Sequence, residues 1–307
     1  MEGSIIEEQV DGFIKHMGVL NRSASTIETL KFKLGKFTEW CRMRAHQDPR
    51  ELTLKNFQSF QGHLHRHKKS NGEKMIIQTQ HAILSSVKNF FQWLRRQGYV
   101  AEDHTENLEL PKLPPKSLPN KGLTDEEVAK LFRSQDVNTT LGLRNRCILA
   151  VFYATGIRRE ELTKIDIQHV DLRNQTIVID GKGGKPRIVV LGDAACGWIT
   201  KYLSESRPSL DLGEGGNALF LNKNGKRMNP KGMSHTMKRI FNNAGVEVAG
   251  SNHLWRHTFC SKMVTNGCNL VYAQELMGHA SLEYISRYTS YNMDDLKEAH
   301  KQCHPDA

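Results

Sequence analysis

Four prolines within nine residues, Pro111, Pro114, Pro115 and Pro119, divide this 307-residue chain in two. Proline lacks the backbone N–H and its ring clashes with the preceding helical turn, so the stretch LELPKLPPKSLPNKG, residues 108–122, reads as an extended connector. Directly after it, Thr124 and Glu127 have the spacing of a capping box ahead of the apolar residues Val128, Leu131 and Phe132. The expected organisation is a first domain over residues 1–107, a linker over 108–122 and a second domain over 123–307.

The first domain has helical periodicity. Ser25 and Glu28 can cap a helix whose Ile27, Leu30, Leu34 and Phe37 share one face. Leu54, Phe57, Phe60 and Leu64 mark a second amphipathic helix, and Val87, Phe90, Phe91 and Leu94 mark another that ends near Gly98. The expectation is a small all-helical bundle. Its basic run His63–Lys69 is either a solvated helix end or an edge that contacts phosphates. The second domain is mixed. Residues 141–154 read as a helix stopped by Gly156, and a short helix begins at about Arg158. Thr176–Ile179 and Arg187–Leu191 form a β-hairpin around the loop GKGGKP, followed by further helices. The fold class expected is mainly α with a small antiparallel β-sheet.

Charge narrows the partners. The formal net charge is +10, and residues on both sides of the linker are net basic, so the excess is not a tail on a neutral enzyme. A polyanion, nucleic acid before membrane surface, suits this balance. The N-terminal stretch MEGSIIEEQVDGFIKHMGVL carries acids throughout and resembles no signal peptide, and no run approaches membrane-spanning length. The six cysteines are scattered without a CxxC pair, which argues against a disulfide framework or a cysteine zinc site. A cytoplasmic protein with reduced thiols and no membrane partner is expected.

Several polar residues are placed for chemistry. In TGIRREEL, Gly156 permits a tight turn, and Arg158 then starts a helix with Glu161 three residues on, able to orient its guanidinium. The loop GKGGKP lacks the P-loop pattern and instead offers Lys182 as a mobile cation. In HLWRH, His253, Arg256 and His257 fall on one helical face. Zinc is disfavoured there, because the glutamate of HExxH is absent and Arg256 would repel the ion. Met277-Gly-His279 follows, and nine residues past His279 stands Tyr288.

Each element alone has a bland explanation in surface pairs, exposed turns or packing. Their order does not. Arg158 with Glu161, the hairpin Lys182, HxxRH, GH and then Tyr288 resemble the tyrosine recombinase (phage integrase) family, most closely its Xer-type bacterial members, over almost the whole chain. The resemblance implies an N-terminal core-binding, SAM-like helical domain and a mixed α+β catalytic domain. It also implies a C-terminal helix, from about Met293, exchanged between subunits. By matching position, Tyr288 is implied as the nucleophile and Arg158 and Arg256 as the clamp on the scissile phosphate. Lys182, His253 and His279 are implied as further pocket donors. Trp255 and Met277 stand where leucine is usual, and Tyr284-Ile285 replaces a common Thr-Thr pair.

The implied activity is site-specific recombination through a 3′-phosphotyrosyl intermediate, serving integration, excision or dimer resolution. Such transesterification conserves bond energy, so neither ATP nor a metal cofactor is expected. The implied partners are duplex DNA carrying a specific site and three further recombinase subunits in a tetramer, with a paralogous recombinase as an alternative to identical copies. Two rivals stay open: a type IB topoisomerase-like enzyme that nicks and reseals one duplex, and a non-catalytic DNA-binding protein.

Overall fold

The computed structural model describes residues 4–68, 72–114, 122–181, 186–247 and 251–278, with the backbone alone for 251–253. Lys182, His279, Tyr288, the segment from Met293 and the part of the linker over 115–121 lie outside the described residues. The chain divides into two compact units, Met1–Lys116 and Ser117–Ala307. Among the described residues, no helix is long and apolar enough to cross a membrane.

The first unit is built from amphipathic helices. Helix α1 (Ile5–Val19) begins at Ser4, whose hydroxyl accepts the Glu7 N–H while the Glu7 carboxylate accepts that of Ser4. Its Ile6, Val10 and Phe13 are buried. Helix α2 (Ala24–Met43) starts earlier than its apolar spacing suggests: the cap is Ser23, which accepts the Thr26 N–H, and Ser25 already lies inside the first turn. A 3₁₀ turn, Pro49–Glu51, leads to α3 (Leu54–Arg66), and α4 (Ile77–Arg96) completes the bundle. Phe37 of α2 meets Phe60 of α3 edge to face at 5.3 Å and Phe91 of α4 at 6.0 Å. Each such fully buried aromatic contributes about 1.5–3 kcal/mol of transfer free energy. The chain leaving α4 is tied back to the bundle, where Lys88 Nζ donates to the carbonyls of Glu106 and Leu108.

In the second unit Thr124 and Glu127 close the expected capping box on α5 (Asp125–Arg133). Helix α6 (Thr140–Thr155) is apolar on nearly every side and therefore buried, with Cys147, Ile148, Leu149, Val151 and Phe152 all in the core. After the short α7 (Arg159–Lys164) come three strands, β1 (Val170–Asp171), β2 (Thr176–Asp180) and β3 (Pro186–Val190), antiparallel in that order. In the hairpin Ile177 pairs with Val189 and Ile179 with Arg187. Helix α8 (Gly192–Lys201) passes through a π-helical turn, Tyr202–Ser206, into α9 (Arg207–Leu210). Then follow α10 (Pro230–Asn243), α11 (Ser251–Thr265) and α12 (Leu270–Met277). Trp255 of α11 is fully buried, edge-on to Phe132, Tyr153 and Phe241. The unusual tryptophan thus anchors the helix that carries Arg256 rather than entering the site.

Candidate active site

The site is organised by the turn after α6. Gly156 ends that helix in the left-handed conformation, φ +57°, with its N–H donating to the Phe152 carbonyl at 2.9 Å. A β-carbon there would sit 2.8 Å from the Phe259 side chain of α11, so glycine is required by backbone and by space. The carbonyl of Gly156 accepts a bond from Arg256 Nη1 at 2.9 Å, and Arg256 Nη2 donates to the carbonyl of Met277. Arg256, only 3% exposed, therefore fastens the end of α6 to the end of α12.

Two residues after Gly156, Arg158 caps α7 in extended conformation. Its N–H donates to Glu161 Oε2 at 2.7 Å and its Nη1 to Glu161 Oε1 at 2.9 Å, so the expected orienting role of Glu161 is realised. The same carboxylate also accepts both terminal nitrogens of Arg187, each at 3.0 Å. This bidentate pair was not foreseen from the sequence. The available signal was periodicity: on β3 Arg187 shares the inward face with buried Val189, a charged residue where the alternation calls for an apolar one.

Burial pushes the Glu161 carboxyl up, but the bonds from Arg187 and from the Arg158 N–H and guanidinium outweigh it and hold it below its ordinary value. A carboxyl depressed by folding contributes stability above its unfolded value of about 4.3, and that contribution disappears as pH falls through the lower folded value. The stability difference between wild type and Glu161→Gln should accordingly shrink on acidification from about pH 5. Urea unfolding over a pH series measures it, and a difference constant with pH would contradict the account.

The structure thus brings Arg158, Glu161, Arg187 and Arg256 to one locality. His253 lies on α11 one turn before Arg256, its side chain outside the described residues. The loop carrying Lys182 joins β2 to β3, and His279 follows Gly278, which caps α12 at φ +60°. Arg158 at the start of α7, Arg187 on β3 and Arg256 on α11 thus gather three guanidiniums around one buried carboxylate, and the excess positive charge suits an anion.

Comparisons with known proteins give the same direction. Residues 121–295 match the phage integrase family. The chain is 33% identical over 302 residues to tyrosine recombinase XerC 2 of Ralstonia nicotianae, covering 98% of this chain and 86% of the relative. It is 32% identical over 298 residues to tyrosine recombinase XerC of Anoxybacillus flavithermus, covering 96% and 97%. Among solved structures, XerH site-specific recombinase bound to its difH substrate superposes with a TM-score of 0.69 at 24% identity, over 95% of this chain and 83% of that one. A lambda integrase dimer bound to a COC′ core site gives 0.71 at 15% identity, over 94% and 99%. At these identities the two structures speak to the fold: a mostly helical protein with a small antiparallel sheet.

Proposed function

The chain belongs to the phage integrase family of tyrosine recombinases, and on that premise we propose that it cuts and rejoins duplex DNA at a specific site through Tyr288. The observation that carries the reading is the convergence of Arg158 and Arg256 on one turn, although they are far apart in the chain. Two guanidiniums so placed can hold the non-bridging oxygens of one phosphate as charge accumulates on them.

The phenolic oxygen of Tyr288 attacks phosphorus, and the bond from phosphorus to the 5′-oxygen breaks. A phenol titrates near pH 10, so its proton needs an acceptor, a role given to His253. Lys182 supplies the proton that the departing 5′-oxygen takes up, and His279 adds a donor to the phosphate. The products are a 3′-phosphotyrosyl bond and a free 5′-hydroxyl, and attack by a 5′-hydroxyl from a second duplex reverses the step with new connectivity. Exchange between two duplexes engages four such sites, hence a tetramer on DNA.

Lys182→Ala should slow cleavage by about 10²-fold or more on ordinary DNA. A 5′-bridging sulfur at the scissile position, which leaves without protonation, should restore most of that loss; if it does not, Lys182 is not the acid. Recombination itself is tested by mixing two differently marked duplexes. Joined products support the proposal, whereas relaxation of single supercoiled circles with no joined product would favour a topoisomerase.

A further inference from the structure

We infer that Arg187 is a positioning residue of this reaction: by occupying Glu161 it sets the Arg158 guanidinium for the phosphate, and it braces the turn at Gly278. The inference rests on the catalytic reading of Arg158 given above.

The geometry divides the work between the two arginines. Glu161 is 6% exposed, and its two oxygens accept four bonds, two from Arg187 and two from Arg158. Arg187 gives both terminal nitrogens to that carboxylate, and its side chain is 13% exposed. Arg158 gives only one guanidinium nitrogen, and its side chain is 30% exposed. One arginine is thus committed to the carboxylate while the other keeps part of its fork for a ligand.

Planar guanidinium and carboxylate groups prefer the two-bond arrangement. Without Arg187, Glu161 has free lone pairs, and the nearest donor able to fill them is Arg158. Its guanidinium would then turn toward the carboxylate and away from the phosphate. Arg187 also fills the space beside α12. A β-carbon on Gly278 would fall 2.7 Å from Arg187 Nε, and that nitrogen is buried without a hydrogen-bond partner among the described residues. An arginine that packs its Nε against a backbone turn is being used as a strut, at the cost of an unsatisfied donor. Arg187 also sits at the base of the hairpin loop that carries Lys182. It therefore links α7, the hairpin and the end of α12.

The test compares wild type, Arg158→Ala, Arg187→Gln and the double variant in single-turnover formation of the covalent adduct. The substrate is a nicked duplex whose sequence is first recovered by covalent trapping from a random-sequence duplex library. Arg187→Gln should form adduct about 10- to 100-fold more slowly, as expected for a misplaced catalytic group, with DNA affinity within about twofold of wild type. The double variant should lose less than the product of the two single losses, because Arg187 acts in large part through Arg158. Arg187→Lys, which keeps the charge but not the fork, should fall between wild type and Arg187→Gln, and it carries the test if the glutamine variant does not fold.

Wild-type cleavage by both Arg187 variants, or multiplicative losses in the double variant, would each overturn the inference while leaving the catalytic reading intact. Wild-type cleavage by Arg158→Ala would instead remove the catalytic reading, and the inference with it.

Discussion

Tyr288→Phe should abolish the covalent protein–DNA adduct and lower strand cleavage by more than about 10⁴-fold, while leaving the protein folded and able to bind its site. The expected effect is this large because the substitution removes the atom that forms the new bond to phosphorus. A phosphate pocket that has lost its nucleophile can only assist water, which is neither positioned nor covalently retained. Gel separation of protein-linked DNA on a nicked substrate, alongside binding measured by mobility shift, checks both halves of the prediction. Tyr284 and Tyr291 lie close in sequence, and an adduct that survives in Tyr288→Phe would transfer the role to one of them.

The second large effect is expected at Arg256. The residue is 3% exposed and its guanidinium bridges the carbonyls of Gly156 and Met277, which makes it a structural tie, and the proposed function adds the role of phosphate donor. Arg256→Ala leaves two buried carbonyls without this donor and should destabilise the second unit by about 2–4 kcal/mol. Cleavage should fall further than stability explains, by about 10²- to 10³-fold under conditions where the variant is fully folded. Arg256→Lys should recover part of the stability and little of the activity, because the three donors of an ammonium sit on one nitrogen and cannot span the two carbonyls as the planar fork does. Urea unfolding and single-turnover adduct formation separate the two losses. A folded Arg256→Ala protein that cleaves at the wild-type rate would contradict its placement in the pocket.

Much of this architecture is legible in the sequence. Phe57, Phe60 and Leu64, and likewise Val87, Phe90, Phe91 and Leu94, follow the helical repeat closely enough to locate α3 and α4. Gly156 was read as a helix stop and occupies the left-handed cap that makes it one. Helix α1 is encoded by Ser4, Glu7 and the spacing of Ile6, Val10 and Phe13, a signal masked by the acids that also rule against a signal peptide. Helix α2 starts at Ser23 rather than at Ser25 because the two serines are chemically equivalent caps, and only the backbone decides which turn begins first.

The site was legible in a different way. The order of Arg158, Lys182, His253, Arg256, His279 and Tyr288 pointed to the chemistry, but no local pattern says that Arg256 reaches back to the carbonyl of Gly156. Arg187 shows the limit most clearly. Its place on the inward face of β3 marks it as unusual, yet its partner Glu161 lies 26 positions earlier in the chain and is supplied by tertiary packing alone. The π-helical turn Tyr202–Ser206 likewise has no sequence signal beyond the nearby Pro208, which lacks an N–H to donate.

The central claim is that this chain joins itself to DNA through Tyr288, and its most direct measurement is the identity of the bond. Wild-type protein is reacted with a nicked duplex that traps the intermediate, then digested with protease and nuclease, and the peptide that retains a nucleotide is sequenced by mass spectrometry. The account predicts one modified peptide, with the nucleotide's 3′-phosphate on the Tyr288 oxygen and a free 5′-hydroxyl on the released strand. A nucleotide on any other residue, a 5′-phosphoryl linkage, or strand cleavage with no peptide–nucleotide bond would contradict it.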